Sequence, residues 1–419
     1  MISRRHFLKT GGLAVTLAGC VPKILGQTGS ASSATLENMV SGVKPLGPED
    51  YEARLEKARR LMAEFKIDAL FLTGGADLVY FTSVSWWTSE RPFGALVNRQ
   101  GRTVWVCPAF EKERAKELIP AGQEVRVWEE HESPYKLIGG AMDDLGVRAG
   151  RLGISPSTNA FIVFGIKQDV PGLELVPGAI ITEACRGTKT AKEIAYMDLA
   201  NKITKLAYRE GFNKLREGMS QRDLSGLISA AHQKMGVSGS GGPQFGLGTA
   251  FPHGSRVPRP LRDGDVIVVD GGCGVEGFRS DVTRTIVFGE SSDKQRKIWD
   301  IVKKAQTAAL KAARPGAGCE DVDAAARNVV EDAGYGPGYK YFVHRLGHGI
   351  GLEGHEYPYL VKGNKLKLEL GMTFSNEPGI YIYGDFGVRT EDCMVVTENG
   401  GRILGGMEAV SIEQPFAET

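Results

Sequence analysis

The chain has 419 residues, 42% of them hydrophobic, and carries 51 Lys and Arg against 50 Asp and Glu, a formal net charge of +1. That length exceeds what one hydrophobic core usually organises, so two domains are expected. The balanced charge excludes a nucleic-acid or membrane-surface role carried by bulk electrostatics, and beyond the N-terminal signal-like segment no apolar run is long enough to span a bilayer.

The N-terminus reads as an address rather than as fold. Ser3, Arg4, Arg5, His6, Phe7, Leu8 and Lys9, followed by a weakly apolar Gly- and Ala-rich segment, resemble a twin-arginine export signal. Leu17, Ala18, Gly19 and Cys20 resemble a bacterial lipobox; an ordinary cleaved signal with a chance cysteine is the competing reading. Residues 1–20 are thus assigned to the signal, with Cys20 as the candidate lipid-bearing residue, and 21–47 to a tether whose Gly26 to Ala34 stretch is small and polar. The expected location is periplasmic, or lipid-anchored on the outer side of the cytoplasmic membrane or on the outer membrane. The later cysteines (Cys107, Cys185, Cys273, Cys319 and Cys393) lack the paired short spacing of a zinc ribbon or redox motif. Cys107, Cys273 and Cys393 sit in or beside apolar runs and read as buried small hydrophobes.

From Pro48 to Ile67, Leu55, Ala58, Leu61, Met62 and Phe65 recur at helical spacing. Strand-like runs follow at Ala69 to Leu72, Phe93 to Val97 and Thr103 to Cys107, then a helix near Phe110 and further strands around Val125 to Trp128, Arg151 to Ile154 and Leu173 to Val176. This alternation predicts an α/β domain over 48–184. Trp86 and Trp87, beside Glu90 and Arg91, fit core packing, a subunit contact or a substrate rim. The polar run Arg186 to Thr190 marks the boundary to a second domain, 185–419. Thr190 with Glu193 forms a capping box opening a helix to about Glu217, and Ser220 with Asp223 opens another that stops at Gly236. Gly239 to Gly248 is a glycine-rich loop without the lysine of a phosphate loop, which excludes a nucleotide site. Helices over about Asp293 to Ala313 and Glu320 to Ala333, among strands, predict an α+β domain with helices packed on an antiparallel sheet.

Val266 to Val269 is an uninterrupted apolar run that delivers Asp270 to a strand tip before Gly271 and Gly272. Asp281 lies eleven residues on, in a strand-like run from Phe278 to Phe288 whose alternation puts Asp281, Thr283 and Thr285 on one face. By themselves these acids suit a solvated hairpin or a shared cation site. His344, His348 and His355 are spaced by four and seven, but Gly347, Gly349 and Gly351 make a helical zinc pair improbable, and are read as allowing close backbone approach to a ligand. Glu377 precedes Pro378 and is expected to be extended, at a strand end or bulge. Alternation puts Arg389, Glu391, Cys393 and Val395 on one strand face, where an inward acid beside an arginine needs a charged partner or a metal. Asp270, Asp281, His348, Glu377 and Glu391 together offer four carboxylates and one imidazole, a donor set suited to two divalent ions of Mn, Co, Fe or Zn. Such a pair, roughly 3.5 to 4 Å apart, activates water and polarises a carbonyl, which implies hydrolysis of an amide or related bond.

These segments, DGG with SDVTRT, LGHGIGLEGHE, NEPGIY and GVRTED, resemble the pita-bread metallopeptidase family (M24), which includes methionine aminopeptidases, aminopeptidase P and prolidase. The resemblance spans roughly Thr190 to Val410, and the preceding α/β domain is similar to that of aminopeptidase P and prolidase. It implies that Asp270 chelates one metal, that Asp281 and Glu391 bridge both, and that His348 and Glu377 complete the second. It further implies Glu377 as general base, His355 as stabiliser of the tetrahedral intermediate, His253 as a pocket residue, His344 on the leaving-group side and Arg389 as the residue orienting Glu391. Creatinase shares the architecture without metals, and retention of five ligands argues against that branch. The expected function is dinuclear, Mn-dependent removal of a residue from the N-terminal side of proline, as aminopeptidase or dipeptidase, by a homodimer acting on short peptides with proline second. The alternatives are a metal-dependent hydrolase or lyase on a non-peptide small molecule, and a non-catalytic binding module of the same fold.

Overall fold

The computed structural model describes residues 36–417. The proposed twin-arginine signal, Cys20 and the stretch Gly26 to Ala34 lie outside the described residues. The rest of the expected tether is not a free linker. Leu36, Met39, Val40, Val43 and Leu46 pack against the core of the C-terminal half, and the Tyr196 hydroxyl donates to the Lys44 carbonyl at 2.6 Å. Burial of these apolar side chains outweighs the chain entropy that a polar linker would keep.

The N-terminal half contains α1 (Pro48–Glu64), β1 (Ala69–Thr73), α2 (Ala76–Thr82), β2 (Gly94–Asn98), β3 (Thr103–Pro108), α3 (Lys112–Leu118), β4 (Glu124–Trp128), α4 (Pro134–Asp144), β5 (Arg151–Ile154), α5 (Ala160–Asp169), β6 (Glu174–Pro177) and α6 (Ala179–Gly187). Its strands form one mixed sheet in the order β4-β3-β2-β1-β5-β6, with β1 antiparallel to β2 and parallel to β5. Leu70 and Leu72 face one core, Ala69 and Phe71 the other, so helices cover both faces. Sequence periodicity passed over α2, α4, α5 and α6. Two are under ten residues long, α4 carries adjacent glycines, and α5 opens with aromatic and β-branched residues of strand character. Trp86 is buried and stacked between Trp87 and Phe93, whereas Trp87 is exposed.

The C-terminal half runs α7 (Ala191–Phe212), α8 (Gln221–Lys234), β7 (Gly242–Phe245), β8 (Val266–Gly271), the short pair β9 (Gly274–Val275) and β10 (Phe278–Arg279), and β11 (Val282–Val287). It continues through α9 (Asp293–Ala312), α10 (Cys319–Asp332), β12 (Gly347–Gly349), β13 (Glu356–Leu360), β14 (Thr373–Asn376), β15 (Gly379–Tyr381), β16 (Gly387–Arg389), β17 (Asp392–Thr397) and β18 (Gly400–Ile403). Both expected capping boxes form, Thr190 with Glu193 and Ser220 with Asp223. Part of the expected glycine-rich loop is strand β7, which pairs with β8. All strand pairs here are antiparallel, in sheets ordered β11-β8-β7 and β13-β12-β14-β17-β18. The apolar run of β8 is explained by covering on both faces: Val266 and Val268 enter the core with α9 and α10, while Ile267 and Val269 enter the core with α7 and α8. Each such side chain contributes about 1.5–3 kcal/mol, and a one-residue slip would exchange the two sets, so the register that presents Asp270 is strongly specified.

Candidate metal centre

The expected continuous strand from Phe278 to Phe288 is interrupted at Ser280 and Asp281, between β10 and β11. The interruption follows from a close approach: a Cβ on Gly272 would lie 2.0 Å from the Ser280 carbonyl oxygen, so the chain can fold back after Asp270 only with glycine there. Asp270 pairs across the ladder with Thr283, and Thr283 bridges to Glu391 in the break between β16 and β17. This bridge joins the two sheets and brings acids more than 100 residues apart into one space. The glycines around His348 serve a similar purpose. A Cβ on Gly347 would meet the Ser375 carbonyl oxygen at 2.1 Å, and one on Gly349 the Glu356 carbonyl oxygen at 2.6 Å. At these two positions the atoms that come close are those of neighbouring strands.

Ligand atoms of Asp270, Asp281 and Glu391 lie within 4.8 Å of one another, as do those of His348, Glu377 and Glu391, and those of Asp281, His348 and His355. Glu391 therefore belongs to both principal groups. The His348 Nε2 atom is 3.3 Å from Glu377 Oε1 and 3.8 Å from Asp281 Oδ2. Its Nδ1 faces the Gly349 carbonyl at 3.0 Å. A carbonyl only accepts, so Nδ1 carries the proton and Nε2 presents its lone pair to the carboxylates. Burial, followed by the His355 charge, lowers the His348 pKa to about 4, which keeps the ring neutral. Burial together with like charge acts oppositely on the acids. Burial pushes Glu377 up to about 7, Arg389 opposing and Asp270 adding to it. Asp281 and Glu391 are raised well above the usual carboxylate range by burial and by their acidic neighbours.

The Creatinase/Prolidase N-terminal domain model matches residues 54–187, and the model for metallopeptidase family M24 matches 195–398. A Xaa-Pro dipeptidase of Lactobacillus helveticus is 34% identical over 364 residues, covering 83% of this chain and 95% of that one. The chain belongs to metallopeptidase family M24. Among solved structures, a dipeptidase PepE from Mycobacterium ulcerans superposes with a TM-score of 0.80 at 34% identity, covering 87% of this chain and 97% of that one. A recombinant prolidase from Thermococcus sibiricus gives 0.77 at 31%, covering 85% and 97%. The fold is thus that of the two-domain M24 peptidases, an N-terminal domain followed by the pita-bread domain.

The donor set of this M24 chain fits a pair of divalent cations. Four carboxylates and a neutral imidazole with its lone pair turned inward are the ligands such ions take. Burial raises Asp281, Glu377 and Glu391 and their acidic neighbours add to it, a cost that bound cations would relieve.

Around these residues Arg389 reaches Glu391 mainly through a hydroxyl. Arg389 holds Asp270 directly, Nη2 to Oδ2 at 2.7 Å, whereas its Nε stands 3.9 Å from Glu391 Oε2. Thr283 mediates instead: its hydroxyl accepts from Arg389 Nε at 3.0 Å and reaches Glu391 Oε2 at 2.6 Å, closer than Asp270 Oδ1 at 3.1 Å. A hydroxyl has one proton, and the shorter contact takes it.

Tyr381 and Ser375 were also missed. Arg389 Nη1 donates to the Tyr381 hydroxyl at 3.0 Å, which faces His344 Nε2 at 2.8 Å. Because His344 Nδ1 faces the Arg345 carbonyl at 2.7 Å, Nδ1 is the protonated nitrogen and Tyr381 donates to Nε2. Burial, with Arg389 and Arg327 adding to it, lowers the His344 pKa to about 3. Ser375 donates to Glu377 Oε1 at 3.1 Å. Signals for two of the three were present in the sequence, since Thr283 shares the face of Asp281 and Tyr381 closes the NEPGIY segment; Ser375 left none. His355 is exposed and stacks on His348 with ring centroids 3.7 Å apart. His253 is exposed too, next to Pro252, whose carbonyl accepts from Arg389 Nη1 at 2.9 Å.

Proposed function

We propose that this chain is a dinuclear metal-dependent Xaa-Pro peptidase, with the dipeptide as preferred substrate and Mn as native metal. The observation that carries the reading is the convergence of Asp270, Asp281, His348, Glu377 and Glu391 on one space with His348 Nε2 turned inward. The named relatives, a Xaa-Pro dipeptidase and a prolidase, supply the substrate class. Asp270 would help hold one ion and His348 and Glu377 the other, with Asp281 and Glu391 contributing to the site of each. The ions, when bound, supply Lewis acidity to a water and to the scissile carbonyl.

The protein's own groups do the rest. Glu377, held by Ser375, accepts the proton of the attacking water and passes it to the leaving proline nitrogen. Thr283 and Arg389 fix the ligand carboxylates Glu391 and Asp270, so that little reorganisation is left for the reaction itself. His355, exposed beside His348, donates a hydrogen bond to the oxygen of the substrate carbonyl as charge develops there. His344, neutral and oriented by Tyr381, lines the leaving-group side, and His253 the pocket mouth.

The test is hydrolysis of Xaa-Pro dipeptides and Xaa-Pro-Yaa tripeptides by the Mn-loaded protein, with Asp281→Ala as control. Release of the first residue, lost in Asp281→Ala, is expected. Absence of turnover on every peptide with Mn, Co or Zn refutes the reading. The proposal extends to twin-arginine export, lipidation at Cys20 and a homodimer. Retention of Cys20→Ala in the membrane fraction would refute the lipid anchor, and a monomer mass in sedimentation the dimer.

A further inference from the structure

We infer that Arg186 is a positioning residue for His355, and that through it the N-terminal domain sets the catalytic geometry of the C-terminal one. This rests on the role proposed above for His355. Arg186 lies in the last turn of α6, the last helix of the N-terminal half. Its guanidinium binds three carboxylates: Asp77 Oδ1 at 2.8 Å, Glu353 Oε2 at 2.6 Å and Glu356 Oε2 at 2.5 Å. Asp77 belongs to α2 of the N-terminal domain and is itself fixed by the Ser155 hydroxyl at 2.7 Å. Glu353, in the connection from β12 to β13, and Glu356, the first residue of β13, bracket His355. Lys189, just after α6, takes the second oxygen of Glu356 at 2.7 Å.

Four of its five members are buried, with side-chain exposures of 11% for Arg186, 4% for Asp77, 5% for Glu356 and 3% for Lys189, while Glu353 is 49% exposed. Burial by itself would push the Glu356 carboxyl up; Lys189 and Arg186 outweigh it and hold the group below its ordinary range. An ion cluster buried to this degree has a defined geometry, because each charge is costly without its partner. The connection it holds is also tied by Leu352, which packs partly buried against a core of each half, and by a few hydrogen bonds. The β12–β13 pairing shifts register after His348. Between Ile350 and His355 the main chain is held by the Gly351 N–H to Glu353 carbonyl bond, by Arg279, whose main-chain N–H donates to the Gly351 carbonyl and whose Nε donates to that of Leu352, and by the Ile350 bonds to Thr373. A Cβ on Gly351 would lie 2.5 Å from Glu356 Oε1, so the clamped carboxylate also fits tightly under this loop. His355 itself rests on the flat face of His348. A guanidinium that ties α2, α6 and both flanks of His355 fixes where that imidazole stands. Lysine presents a point charge and cannot span three carboxylates with a planar fork.

The experiment compares wild type, Arg186→Ala and Arg186→Lys for steady-state hydrolysis of a Xaa-Pro dipeptide, and for amide hydrogen exchange of the segment 350–356 in the full chain. A displacement of about 1 Å at a catalytic group costs on the order of 100-fold. Arg186→Ala is therefore expected to lose roughly 10- to 100-fold in kcat, with KM within about threefold. Arg186→Lys should recover part of the loss. Amides of 350–356 should exchange faster in Arg186→Ala while those of β14 and β17 keep their protection, which separates a displaced loop from a destabilised domain. A folded Arg186→Ala with kcat within twofold of wild type, or with unchanged exchange in 350–356, overturns the inference. Wild type that turns over no Xaa-Pro peptide sinks the substrate reading instead, and the exchange arm then decides the clamp by itself.

Discussion

Replacing Asp392 tests how the catalytic strands are held. Asp392 begins β17 directly after Glu391, and its Oδ1 serves two cations, Lys205 at 2.7 Å and Arg284 at 2.8 Å, all three side chains at 0% exposure. Arg284 also donates to the main-chain carbonyls of Thr283 and Glu391 at 3.1 and 2.8 Å, so the triad fixes the crossing of the two site-bearing segments. Burial would raise the Asp392 carboxyl, but Arg284 and Lys205 outweigh it and lower it from 3.8 to about 2. That preference for the charged form corresponds to about 2–3 kcal/mol. Asp392→Asn should cost about that much, and Asp392→Ala about 3–5 kcal/mol, because two buried cations lose their counter-charge. Since the folded pKa is depressed, the contribution is present above pH 3.8 and is lost as pH falls through about 2. Urea unfolding monitored at Trp299, the one tryptophan of the C-terminal half, reads the change locally. Adding Lys205→Met to Asp392→Asn should recover part of the loss, as one cation leaves with its anion. An Asp392→Asn midpoint equal to wild type at unchanged m-value would show that desolvation cancels the pairing, and the reasoning would fail.

Three further outcomes follow from the site. Thr283→Val keeps the shape but strips Arg389 Nε and Glu391 Oε2 of their shared partner; kcat/KM should fall about tenfold or more, for a loss of about 1–3 kcal/mol, and a rate equal to wild type would exclude the relay. Gly272→Ala forces a Cβ to within 2.0 Å of the Ser280 carbonyl oxygen, next to Asp281; a penalty of about 1–3 kcal/mol or more in thermal unfolding is expected, together with weaker metal binding. Mn should stabilise wild type by about 2.7 kcal/mol at a hundredfold excess over Kd and raise its thermal midpoint accordingly, and Glu391→Gln, which removes a candidate ligand common to both groups, should abolish most of that rise; a full rise in the variant would refute a shared ligand.

Sequence by itself determined the elements with strong local signals and singled out the candidate ligand set. The capping boxes at Thr190 and Ser220 are visible because the residues that satisfy the helix N-terminus are three apart in the chain. The run Val266 to Val269 reads as a buried strand because both of its faces are covered. Asp270, Asp281, His348, Glu377 and Glu391 stand out because metal chemistry restricts residue type and the motifs keep their order. Contacts across the fold stayed hidden. Nothing local to Thr283 announces that its hydroxyl joins Arg389 to Glu391, nothing near Tyr381 announces His344, and Arg186 looked like part of a polar boundary rather than the last turn of a helix. Local pattern records which face a residue occupies. Partners brought together by the bridge between Thr283 and Glu391, or by the packing of α6 against the loop of His355, are separated by more than 100 residues, and only tertiary structure decides them.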